Sequence, residues 1–524
     1  MNRSLFSIPL LMILGAASMT GCGSASGDSA SAPSTSSGSG VPEGPGAVGI
    51  SQGGAQDFGL FRQILEAGQI PGPETLDDVG FFSEHKLDYP TPECGNDVCM
   101  HGLVGMMGNM ITGANCTLLQ VGLNSPVDVA SLERPPMHLV LSVDISGSMS
   151  GQPIAYLREG LVRMVSELGP KDRVSLVTFS DKAEVVLEAV PAAQGETLKA
   201  AFEGLAVKGA TNLYDGLFTA LSLTEKHRQA GEQPRVIFLS DGEATAGLTS
   251  AAKVRSLAAS YAKQGTPISS VGVGTQFDVE LMRALGEVGA GNFYFLEDPS
   301  AVVEVFAEEV ATFLYPVALD VTIEAQVGSA YELRGVYGTK NWESGGGLAT
   351  VSIPSLFLAG RTKASEPIEG GRRGGGGAIL VEVIPRGNEP AAETAVGSLA
   401  ITWKKPGTGD TVSQVIDLSA PFTSQTVPAQ GYFTSFTSEK GFVMLNLFAG
   451  FQLAARSARD GDARGADATL GPLETSVLAW LQKSPDPDIE DDLKYLRLFR
   501  KNLGKLQDYK QLPPPLPQNP WPND

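Results

Sequence analysis

Over residues 137–314 short runs rich in β-branched and aromatic residues alternate with longer stretches whose apolar residues fall three and four apart, and this rhythm is the strongest constraint on what the chain can fold into. The strands read as HLVLSVD, RVSLVTFS, AEVVLE, RVIFLSD, PISSVGVG and NFYFLE. Between them Ile154, Leu157, Leu161, Met164, Val165 and Leu168 make one amphipathic helix, and further helices are predicted over 213–227, 251–264, 279–288 and 301–313. Strands that alternate with helices form a mostly parallel sheet covered on both faces, because a parallel pair needs a crossover that a helix supplies. The fold class expected here is α/β and doubly wound. Ligands of such folds sit outside the carboxyl ends of the strands, so those ends are where chemistry is sought.

Two predicted strands end in a carboxylate. Asp144 follows the run 138–143, inside LVLSVDISGSMSG, and Asp241 follows the run 235–240. Ser146 and Ser148 come two and four residues after Asp144, and the loop VKGATNLYDGL offers Thr211 just before a helix. Two carboxylates and three hydroxyls are an all-oxygen donor set, which suits hard divalent cations rather than zinc or copper. The plainer alternative makes the same residues helix caps, since Asp, Ser and Thr are favoured at strand-to-helix turns.

In this order, DISGS (Asp144, Ser146, Ser148), the GATNLYDGL loop with Thr211 and LSDGEAT with Asp241 resemble the DxSxS, Thr and Asp elements of a von Willebrand factor type A domain, the domain that also forms integrin I domains. The flanking sequence is similar to bacterial members and to the type A domains of inter-α-trypsin inhibitor heavy chains and channel α2δ subunits. The resemblance covers about a third of the chain. It implies that Ser146, Ser148 and Thr211 coordinate a divalent cation through their hydroxyls, with Asp144 and Asp241 acting directly or through water. It further implies Mg²⁺ foremost, with Ca²⁺ or Mn²⁺ as alternatives, and one coordination position left for a carboxylate of a protein partner. Thr211 would engage through a shift of its loop when that ligand arrives. Asp215 and Glu243 lie close in sequence, but capping or solvated roles are expected of them.

The chain start reads as an export signal: Arg3, an apolar stretch over 5–17 and small residues before Cys22. Met19-Thr20-Gly21-Cys22 resembles a bacterial lipobox, although Met19 and Thr20 depart from its commonest Leu-(Ala/Ser)-Gly-Cys form. That resemblance implies cleavage at residue 22, acylation of Cys22 and a lipid-anchored protein of the cell envelope, at the periplasmic face of the outer membrane or the cell surface. Residues 23–49, rich in Ser, Gly and Pro, form a flexible tether. Export favours one disulfide among Cys94, Cys99 and Cys116, with the pairing open; a zinc site would find only His101 nearby.

The remaining text sorts into a partly β segment over 50–136, a β-rich, sandwich-like domain over 315–440, a helical segment over 441–510 and a proline-rich tail over 511–524. The β-like NCTLLQVGLNSPVDV ahead of the α/β region is expected to pair with the later β-rich domain, making the α/β unit an insertion. The apolar stripes Val443, Leu447, Phe451, Ala454 and Ile489, Leu493, Leu496, Phe499, Leu503, Leu506 are expected to pack on that domain. GGRRGGGGA reads as a loop rather than a phosphate cradle, because a strand follows it.

A formal net charge of −20 with no Lys/Arg-rich block excludes nucleic acid as a partner. His85, His101, His138 and His227 sit in no catalytic pattern, and neither HExxH nor a GxxxxGK loop occurs. The expectation is a non-enzymatic, metal-dependent protein-binding lipoprotein, serving adhesion or assembly of an envelope complex. The alternative is a structural envelope scaffold in which the metal only stabilises the α/β domain.

Overall fold

The computed structural model describes residues 48–52, 59–127, 135–241, 244–273, 278–288, 290–296, 316–339, 341–358, 377–386, 394–406, 408–421 and 427–506. The export segment with Cys22, the tether up to residue 47, Glu243, the helix expected over 301–313, most of GGRRGGGGA and the tail over 511–524 lie outside them. In chain order the first elements are β1 (Val48–Gln52), α1 (Gly59–Glu66), α2 (Asp78–Glu84), β2 (Cys99–Gly108) and β3 (Asn115–Ser125). Val48 and Gly49, assigned above to the tether, are already strand, paired with Ser125 and Asn124. Among the described residues no helix is long and apolar enough to cross a membrane.

The α/β unit follows: β4 (Met137–Asp144), α3 (Gln152–Met164), β5 (Arg173–Phe179), β6 (Ala183–Pro191), α4 (Gly195–Glu203), α5 (Leu213–Lys226), β7 (Gln233–Ser240), α6 (Ala251–Ala262), β8 (Ile268–Val273), α7 (Val279–Val288) and β9 (Ala290–Leu296). Its sheet runs β6-β5-β4-β7-β8-β9, parallel throughout except for the edge strand β6, which is antiparallel to β5. Every residue of β4 is buried, as a central strand covered on both faces requires. Leu139, Leu141 and Val143 face the side of α3 and α4, while Val140 faces α5, α6 and α7. The short α4 was not legible in advance, because Leu198 and Phe202 are its only buried anchors.

The rest is β10 (Pro316–Val327), β11 (Tyr331–Tyr337), β12 (Trp342–Gly345), β13 (Leu348–Leu358), β14 (Ile379–Pro385), β15 (Thr394–Lys404), β16 (Thr411–Ala420), β17 (Tyr432–Phe433), α8 (Phe436–Arg459), α9 (Ala463–Leu481) and α10 (Pro487–Leu503). β3 pairs with β2 and β14, and β10 pairs with β13 and β15, all antiparallel. β1 joins these two groups by pairing with both β3 and β13. On β10 the period of two is plain: Val321, Ile323, Ala325 and Val327 are buried, and Thr322, Glu324 and Gln326 are less so. They share a core with Leu119, Val121 and Val381 of the other group. The Gln414 amide closes the far side, donating to Val98 O at 2.7 Å and accepting from Met100 N–H at 3.0 Å. The α/β unit is thus an insertion between strands of one antiparallel assembly.

The opposite face of β3, with Leu118 beside Leu380 of β14, packs on α8, α9 and α10. Both apolar stripes lie in that core except Leu506, which is exposed because α10 ends at Leu503. α8 begins five residues before the expected boundary of 441, its start set by a capping box in which Ser435 and Ser438 bond reciprocally. Ser at the fourth position, in place of Glu or Gln, hides that box in the sequence. α1 lies between two cores: Phe61 and Leu65 join the helical layer, and Leu60 joins the α5–α7 face of the inserted unit. Cys94 and Cys99 form a disulfide with Cα atoms 5.6 Å apart, and Cys116 is free and buried.

Candidate metal site

Parallel pairing of β4 with β7 sets Val143 beside Leu239. One residue further Asp144 ends β4, still paired with Phe179 of β5, and Asp241 follows two residues after Leu239, so the two carboxylates emerge side by side at the carboxyl edge. Ser146 and Ser148 sit on the short turn that follows β4, before α3 begins at Gln152. Thr211 reaches the same edge by main-chain contacts: Gly147 N–H donates to Gly209 O at 3.2 Å, and Lys208 N–H donates to Ile145 O at 2.6 Å. Gly209 has φ +72°, and a Cβ there would lie 2.3 Å from Asp181 Oδ2, so glycine alone fits this approach.

The side chains form a connected set. Asp144 Oδ1 accepts the Ser146 backbone N–H at 2.8 Å, and Asp144 Oδ2 accepts the Ser240 hydroxyl at 2.6 Å. The Ser146 and Ser148 hydroxyls are 3.1 Å apart, and the Ser148 hydroxyl donates to Asp241 Oδ1 at 2.9 Å. None of these groups caps a helix. The cap of α5 is Asn212, whose side chain accepts from Asp215 N–H, and α3 starts after Gly151 with no side-chain cap. Asp215 serves elsewhere, accepting Ala183 N–H at 2.7 Å where β6 begins.

Asp144, Ser146, Thr211 and Asp241 are buried at 0, 1, 3 and 7% exposure, while Ser148 faces solvent. The set therefore opens on one side only. Burial pushes the Asp241 carboxyl up to about 6; the Ser148 hydrogen bond opposes this and the charge of Asp144 adds to it. Burial raises Asp144 as well, against the hydrogen bonds from Ser240 and Ser146. Neither carboxylate has a Lys, Arg or His partner among the described residues. Two neighbouring buried carboxylates with hydroxyl oxygens and no basic side chain among the described residues fit a divalent cation, whose charge opposes the burial and mutual repulsion that raise them. Among the described residues no group of three or more His, Cys, Asp or Glu assembles into a metal cluster, and this edge itself brings together only two carboxylates.

Sequence reasoning overlooked Ser240, whose only signal is its position directly before Asp241 at a strand end. It also overlooked Thr245, which bonds to the main chain of Thr211. His138 is buried in β4 with Nε2 2.9 Å from Ser175 Oγ, far from the carboxyl edge, and burial lowers it to about 4.

Comparison with known proteins places the inserted unit in a family. Residues 138–308 match the family model of the von Willebrand factor type A domain. The uncharacterized protein YfbK of Escherichia coli K12 is 27% identical over 217 residues, 41% of this chain and 38% of that protein. Inter-alpha-trypsin inhibitor heavy chain H4 of Bos taurus is 32% identical over 127 residues, 23% of this chain and 14% of that protein. The chain thus spans well under half the length of these curated relatives. A solved structure titled von Willebrand factor type A from Catenulispora acidiphila is 15% identical with a TM-score of 0.49, covering 78% of this chain and 91% of that one. With the matched residues coinciding with the inserted α/β unit, this chain is a protein that carries a von Willebrand factor type A domain.

Proposed function

We propose that this chain is a non-enzymatic, lipid-anchored protein of the bacterial cell envelope that binds a protein partner through a divalent cation. Type A domains commonly bind protein and generally hold such an ion. The observation that carries the reading is the pair of buried carboxylates, Asp144 and Asp241, linked through serines, open to solvent at Ser148 and matched by no basic side chain among the described residues. Asp144, Ser146, Ser148, Thr211 and Asp241 would hold the ion, with Mg²⁺ the best fit to an all-oxygen set that retains waters. The ion would supply positive charge at the mouth of the site, attractive to an Asp or Glu of the partner. Two carboxylates balance the ion's charge without exceeding it, and with otherwise neutral oxygens around it the ion stays electrophilic toward a third carboxylate at its open coordination position. Adhesion and assembly of an envelope complex are the two settings such binding serves. The lipobox-like Cys22 and the tether over 23–49 are what support the envelope location.

Calorimetric titration of Mg²⁺, Mn²⁺ and Ca²⁺ tests the reading, with wild type beside Asp144→Ala. One saturable site in the wild type, lost in the variant while both proteins stay folded, is the expected result. Equal binding by the two would remove Asp144 from the site. An ion that raises the unfolding temperature but leaves partner binding unchanged on chelation would favour the scaffold role.

A further inference from the structure

Thr211 is the site residue that belongs neither to β4 nor to the end of β7, so something must fix its loop against them. Its backbone is held on both sides by the segment that follows Asp241. The Thr211 N–H donates to Thr245 Oγ1 at 2.9 Å, and Thr211 O accepts from Thr245 N–H at 3.0 Å and from Ala246 N–H at 3.1 Å. Gly247, with φ +67°, packs so tightly on Asn212 that a Cβ would lie 2.2 Å from Asn212 Oδ1. Two backbone-to-backbone bonds survive any substitution at 245; the bond through the hydroxyl depends on this side chain alone.

We propose that Thr245 is a positioning residue for the cation site, its hydroxyl oxygen locking the Thr211 peptide to the segment after Asp241 so that the two loops move as one body. The inference rests on the reading of this edge as a cation site. It bears on the loop shift that the family resemblance implies for Thr211: that loop cannot advance toward a ligand alone, because its backbone carries the 245–246 segment with it. Thr245 never touches the ion in this scheme. Removing its hydroxyl loosens the loop before binding, and the ordering cost then appears in the ion's dissociation constant.

Thr245 is solvent-exposed and lies outside every apolar core, so replacing it leaves the fold intact. The test titrates Mn²⁺ into the full chain as wild type, Thr245→Val and Thr245→Ser, with thermal unfolding of each in chelator. Thr245→Val is expected to weaken Mn²⁺ binding about fivefold, the equivalent of one lost hydrogen bond, and Thr245→Ser to stay within about twofold of wild type. A purely structural role would lower the unfolding temperature in chelator and leave the dissociation constant where it was, which overturns the proposal. So does a Ser variant as weak as the Val one, since the hydroxyl would then not be the cause. Absence of Mn²⁺ binding in the wild type removes the cation reading itself, and this inference with it; wild-type binding matched by Thr245→Val removes the inference alone.

Discussion

Two groups of buried carboxylates in this chain are balanced in opposite ways. Between α2, α8 and α10, Lys440 Nζ lies 2.7 Å from Asp486 and 2.9 Å from Asp488, and His85 Nε2 lies 2.7 Å from Asp492. Lys440 also donates to Lys86 O, and Asp486 caps α10. At the carboxyl edge of the type A sheet, Asp144 and Asp241 meet hydroxyls and each other. The first group carries a counter-charge in Lys440 and staples the end of α2 to α10, with His85 and Asp492 407 positions apart. The second leaves its negative charge unmatched, which is what a receptor for a cation requires and a structural cluster avoids. Glu382 offers a third solution. It is buried beside Cys116, Tyr337 and Arg334, and burial pushes it up to about 8 although Arg334 and Tyr337 pull it down, so near neutrality a proton does the balancing.

The contrast can be broken most decisively at Lys440. Lys440→Met takes from Asp486 and Asp488 the ammonium they share, and a loss of about 3–5 kcal/mol in urea unfolding is expected; a loss below about 1 kcal/mol would mean the network is not what staples the layers. Glu382 comes next. Its folded-state value lies above the unfolded one of 4.5, so its contribution is intact below that pH and is lost as pH rises through about 8. Glu382→Gln should match wild type near pH 4 and exceed it near pH 8; parallel stability curves for the two proteins would show that Glu382 ionises without penalty. The smallest effect is also a gain. Asp144→Asn preserves an acceptor for Ser146 and removes one of two adjacent charges, so in chelator it should gain about 1 kcal/mol or less. A clear loss in chelator would mean the carboxylate at 144 is held by something other than hydroxyls and an ion.

The doubly wound sheet was legible because its central strands are apolar runs that stop at a polar residue, as LVLSVD stops at Asp144, and the same reading brought Asp144, Ser146, Ser148 and Asp241 to one edge. The insertion was readable from NCTLLQVGLNS, a strand-like run whose second long neighbour, β14, comes only after the inserted unit. Elsewhere the signals fail for physical reasons. β2, CMHGLVGMMG, is rich in Gly and Met, neither of which marks a strand. The disulfide could not be chosen among three cysteines until the turn between Cys94 and Cys99 was seen. Thr245 and Ser240 act through one hydroxyl each, and hydroxyls near a loop carry no pattern.

The insertion also dictates an order of assembly. β3 finds its β14 edge only after the whole type A unit has been made, Cys116 and Glu382 being 266 positions apart. During synthesis the inserted unit, whose sheet pairs only with itself, can close first, while the β2–β3 hairpin waits with one apolar face uncovered. Once folded, the unit shortens the path between β3 and β10 and turns a costly long loop into a short one. A lesion that slows folding of the type A domain therefore prolongs exposure of the hairpin, and its first symptom is aggregation rather than loss of ion binding.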